Sequence, residues 1–114
     1  MTKYIKNAEP HKVFSIKDLI DYKDGGVNAI SLVDRDSLFM KILAVAKGAE
    51  IPTHSGIGDV LVTVIEGEAE ITLEDKVYNL KTSESLLMPA NAPHSLKASN
   101  SSFKIFVSQV KEEK

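Results

Sequence analysis

Cysteine is absent from the 114 residues. That excludes a disulfide framework, a thiolate nucleophile and a cysteine-based zinc site. Basic clusters are absent too. Fourteen Lys and Arg stand against sixteen Asp and Glu, the formal net charge is −2, and the two signs are interspersed. Nucleic-acid binding usually leaves a clustered basic footprint, so no nucleic-acid partner is expected. No apolar run approaches the roughly 20 residues that a membrane helix needs. Met1 to Pro10 lacks the apolar stretch of a signal peptide. No membrane partner is expected, and the expected location is cytoplasmic. Also missing are a phosphate-cradling glycine loop, a Ser-His-Asp arrangement and a nucleotide fingerprint. Asp24-Gly25-Gly26 reads as a turn and nothing more. There is no solenoid repeat, low-complexity tract or linker, so a single domain is expected.

What is present suits an ordinary core. Hydrophobic residues make up 43% and charged residues 26% of the chain. A chain of this size buries roughly 60–70% of its unfolded surface, enough for one core without staples. From Leu38 onward the pattern is short strands broken by turn signals. Leu38 to Ala46 is nearly continuous and apolar. Periodicity leaves helix open in so short a run, but the flanking Arg35-Asp36-Ser37 and Lys47-Gly48 favour a bounded strand. Val60 to Ile65 is dense in β-branched residues. Glu66-Gly67 then signals a turn. Beyond it Ala69, Ile71 and Leu73 share one face, and Glu68, Glu70 and Thr72 share the other. Val77 to Leu80, Ser85 to Met88, His94 to Ala98 and Phe103 to Val110 complete the series. In the last, both faces are partly apolar, which suits a strand covered on both sides.

Before Leu38 the signals are weaker. Ser15 to Tyr22 fits one helical turn or two short edge strands, and Asn28 to Val33 fits a strand. The expected organisation is an N-terminal segment over 1–36, part of the same domain, a barrel core over 37–110 and a frayed tail over 111–114. Many short strands at close spacing indicate an all-β sandwich or barrel.

Two segments carry a sharper pattern. The first is GAEIPTHSGIGDVLVTVIEG, Gly48 to Gly67; the second is SESLLMPANAPHSLKA, Ser83 to Ala98. In tandem, joined by a hairpin-like EGEAEITLEDKVYNL, they resemble the paired motifs of the cupin superfamily. The resemblance covers about Leu38 to Val110. Gly48, His54 and Gly67 match the first motif, and Pro89 and His94 match the second. Gly56 stands where the second His of the first motif belongs, and Val60 or Leu61 where its Glu belongs. Ser83, Asn91 and Ala98 replace two glycines and an asparagine of the second motif. Each match also has a local reading. Gly48 and Gly67 suit tight turns or a positive φ. Pro89 ends strand pairing, and Asn91 tolerates left-handed backbone in place of glycine.

The resemblance implies an all-β double-stranded β-helix, the jelly-roll barrel of cupins. It also implies a site. In metal-binding cupins two His and a Glu of the first motif, with the His of the second, hold one divalent ion, commonly Fe, Mn, Zn, Ni or Cu. Here only His54 and His94 of that set remain. Asp59 is the nearest carboxylate, but it is one residue short of the Glu position, and such a shift turns a strand side chain to the other face. It becomes a ligand only if a bulge near Gly58 re-aims it.

The expected function is binding of a small molecule in the barrel by His54 and His94, with at most a weakly held divalent metal. Met40, Gly56, Val60, Val62 and Met88 are expected to line the pocket, and Thr63, Ser95 and Gln109 are candidate polar contacts whose faces the pattern leaves open. Two alternatives are a metal-dependent dioxygenase or isomerase for a small oxygenated compound, and a structural protein whose barrel is filled by Val60, Met40 and their neighbours. His11 lies outside both motifs and reads as a surface residue. A homodimer is expected, from the resemblance and because unpaired strand edges invite a partner.

Overall fold

The β-branched and alternating segments form eight strands among residues 2–112, the residues described by the computed structural model. They are β1 (Val27–Asp34), β2 (Leu38–Val45), β3 (Glu50–His54), β4 (Asp59–Leu73), β5 (Lys76–Lys81), β6 (Ser85–Met88), β7 (His94–Lys97) and β8 (Phe103–Val110). Every pairing is antiparallel. β1, β2, β8, the first half of β4 and β6 make one sheet. β5, the second half of β4, β7 and β3 make the other. The two sheets curl against each other as a jelly-roll, in agreement with the all-β expectation. Among the described residues no helix is long and apolar enough to cross a membrane.

The core lies between the sheets. Phe103, Ile71, Ile105, Val45 and Val64 are fully enclosed there. Each such side chain stabilises the fold by roughly 1.5–3 kcal/mol relative to exposure. A second apolar cluster sits on the outer face of the first sheet. Ile42 and Ala44 of β2 join Leu32, Val33 and Ile20 there, with Phe106 of β8 packed against them. This explains why β2 and β8 are apolar on both faces: one face meets the barrel interior and the other meets the N-terminal segment.

That segment makes a single 3₁₀ turn at Ile16–Leu19, the first of the two readings of Ser15 to Tyr22. A polar cluster anchors it. The Tyr22 hydroxyl donates to Glu66 Oε2 at 2.6 Å. The buried Lys104 ammonium donates to the Lys17 carbonyl at 2.7 Å and stands 3.8 Å from Glu66. Burial and the neighbouring Glu66 carboxylate push the Tyr22 phenol well above its ordinary range. After β8, Lys111 and Glu112 carry no regular structure. The rest of the expected frayed tail, Glu113 and Lys114, lies outside the described residues, as does Met1.

One expectation is corrected. Glu66-Gly67 is not a turn between two strands: β4 runs unbroken from Asp59 to Leu73. A bulge at Ile65 interrupts its register with β8, between the Val64–Ile105 and Glu66–Lys104 pairs. Before the bulge Val62 and Val64 point inward; after it Ala69 and Ile71 do. The extra residue shifts the alternation by one, so that both halves keep their apolar face on the core. It also marks the bend where the strand passes from one sheet to the other.

Gly67 has φ +79°, and a Cβ there would lie 2.1 Å from the Ser102 carbonyl oxygen. No other residue fits without displacing the neighbouring strand. Asn91 and Ser83, which replace glycines of the second motif, also sit at positive φ, 70° and 78°. The backbone geometry of the motif therefore survives the substitutions.

Candidate functional site

His54 closes β3 and His94 opens β7, and the two are direct cross-strand partners. Their rings meet edge to face with centroids 4.3 Å apart. The Nδ1 of His54 donates to the Pro52 carbonyl at 2.9 Å, and the Nδ1 of His94 donates to the Ala92 carbonyl at 3.0 Å. A carbonyl can only accept, so each Nδ1 carries the proton. In the neutral rings Nε2 then bears the free lone pair. His94 is buried, while His54 stands exposed at the mouth. Burial pushes the His94 imidazole below its ordinary value of 6.5; the Ala92 carbonyl opposes the shift and nearby His54 adds to it.

The rings open onto a cavity of about 290 Å³ between the sheets. Leu43, Val62 and Ile105 line it from one sheet, Ile51 and Leu96 from the other. Of the expected lining residues, Gly56, Val60, Val62 and Met88 are there. Met40 is not. It packs against the outer cluster with Ile42 and Ala44. Alternation along β2 instead turns its neighbour inward: Lys41 lines the cavity in line with Leu43. The expectation failed because the outer face of β2 is as apolar as the inner one, so hydrophobicity could not assign the faces. The available signal was Lys41 itself, the single charge in the run from Leu38 to Ala46.

Lys41 is half-buried, and its ammonium lies 5.6 Å from the Phe39 ring centre. Burial holds it below its ordinary value of 10.5. Gln109 also faces the cavity, on the neighbouring strand. Thr63 and Ser95 are not among its lining residues; the Thr63 hydroxyl pairs with that of Ser85 at 2.7 Å.

The residues present do not fit the four-ligand metal centre. Val60, not Leu61, takes the inward position of the motif Glu, since Leu61 is exposed on the outer face. Asp59 points away from the cavity, and its Oδ1 accepts from the Ala90 amide at 2.8 Å. No bulge re-aims it: Asp59 pairs in register with Val110. Among the described residues no group of three or more His, Cys, Asp or Glu could hold an ion. Catalytic metal sites typically need about three protein ligands.

The cupin domain family matches residues 41–107, more than half of the chain. The chain belongs to the cupin family. A conserved protein of unknown function from Streptococcus pyogenes superimposes with a TM-score of 0.93, at 33% identity over 99% of this chain and 98% of that one. A cupin superfamily protein from Desulfitobacterium hafniense gives 0.90, at 24% identity over 96% and 100%. An uncharacterized protein of Aquifex aeolicus is 25% identical over 75% of this chain and 72% of its own. Within the cupin barrel, the backbone geometry of the motif turns is thus kept, with Ser83 and Asn91 at positive φ in place of two glycines, and the positions that ligate metal are half replaced.

Proposed function

We propose that this cupin is a binding module: its barrel holds a small organic molecule and needs no metal to do so. The observation that carries the reading is the cavity itself. It is near the lower bound of small-molecule sites, mostly apolar, and has a few convergent polar groups, the usual form of such a site. The two imidazoles present Nε2 lone pairs fixed by their backbone bonds, ready to accept from a hydroxyl or amine of the ligand. A vestigial barrel would be filled, and the outward packing of Met40 argues against that reading. A dioxygenase or isomerase reading requires a third protein ligand beside His54 and His94, and Asp59 faces away from it.

The test uses the full chain, stripped of metal and checked by elemental mass spectrometry. Phenol, benzyl alcohol and 1-hexanol serve as probes in ligand-observed NMR. Saturation transfer to at least one probe, abolished by Val60→Phe in folded protein, is the expected result. Binding that appears only after a divalent ion is added, and disappears in His54→Ala and His94→Ala, overturns the reading in favour of the metal centre. Silence from every one of these alcohols, and from the matching carboxylates and amides, overturns it in favour of a vestigial barrel.

For assembly we propose a homodimer through the N-terminal segment. Val13 is fully exposed there, and Tyr4, Ile5 and Phe14 are exposed as well. A partner subunit would cover these exposed apolar side chains.

A further inference from the structure

We propose that the ligand of this cavity is a small monocarboxylate with an apolar body, its carboxylate held by Lys41. The inference rests on the binding-module reading and adds the charge of the ligand. The titratable side chains lining the cavity are Lys41, His54 and His94; no carboxylate is among the lining residues. The ion pairs among the described residues involve Lys12, Lys17 and Lys104, and none engages Lys41. A half-buried lysine without an acid opposite has lost hydration that the Phe39 ring face restores only in part. An anion entering the cavity restores it.

The position of the residue supports a directional site. Lys41 stands on β2 opposite Val107 of β8, and Gln109 is its diagonal neighbour two residues on. Ammonium and side-chain amide can therefore both donate to one carboxylate. The two imidazoles stand on the facing sheet, where in the neutral form their free nitrogens accept rather than donate. One wall thus takes the negative end, and the aliphatic side chains between the walls take the body. A single cation suits a monoanion. A phosphate monoester, with more charge and more acceptors, needs more donors than this wall offers.

Matched pairs read this directly. Benzoate and benzamide, then hexanoate and hexanamide, are titrated into the full chain at pH 8 by NMR, with phenyl phosphate as a third arm. Each acid is expected to bind at least about tenfold more tightly than its amide, the scale of one charge-assisted hydrogen bond. Lys41→Met is expected to bring that ratio to about one, and Lys41→Arg to keep the preference. Should Lys41→Met fail to fold, Lys41→Gln takes its place, and the wild-type ratio decides without either. Equal binding of acid and amide overturns the inference and leaves the pocket standing. So does a preference that survives loss of the lysine, or tighter binding of phenyl phosphate. Failure of every acid, amide and alcohol removes the binding module and this inference together.

Discussion

His94 is buried with one nitrogen tied to a backbone carbonyl, and the other is left for the cavity. Its folded-state pKa lies below the ordinary 6.5, chiefly through burial. Above that value the ring is neutral folded or unfolded and contributes no pH dependence. As pH falls below about 6.5, the unfolded chain binds the proton first, so stability declines until the folded pKa is passed. Urea unfolding at pH 7.5 and at pH 5.5 is expected to show lower stability at the acid end. In His94→Gln the loss over that window is expected to shrink; an unchanged loss would locate it elsewhere. The identity of both histidines was readable, because the motif spacing marks them. Lys41 stood out as the single charge in its apolar run, but its face was not readable, because such a charge fits a solvent-facing position equally well.

Strand β4 shows what an element needs beyond its pattern. Its two apolar halves were visible as Val60 to Ile65 and Glu68 to Leu73. That they form one strand was not visible, since a Glu-Gly pair fits a turn as well as a bulge. Tertiary pairing decides: β8 continues past the bulge and holds both sides of it. Gly67 is the residue this geometry depends on, and its missing Cβ is what allows the Ser102 carbonyl to approach. Gly67→Ala is expected to cost about 3 kcal/mol, from positive-φ strain plus the clash. Gly56→Ala meets nothing within 4 Å and is expected to change stability by less than about 0.5 kcal/mol. Chemical denaturation of the two variants measures the contrast; similar losses would mean that Gly67 owes its place to something other than the bulge.

At the scale of the whole molecule, the N-terminal segment does two jobs. It covers the outer face of the first sheet, and it leaves Val13 and Phe14 facing outward. Sedimentation at micromolar concentration is expected to give twice the 12.5 kDa chain mass. A Val13→Asp, Phe14→Asp variant is expected to shift toward the monomer; a wild-type monomer would overturn the proposed dimer. The sequence by itself determined the all-β barrel and its two histidines, because alternation, turn chemistry and motif spacing are local and survive without a partner. Which face of β2 looks inward, and with it the place of Met40 and Lys41, was decided only by the tertiary structure. Two apolar clusters compete for that strand, and only the docking of the N-terminal segment on one of them makes the other face the interior.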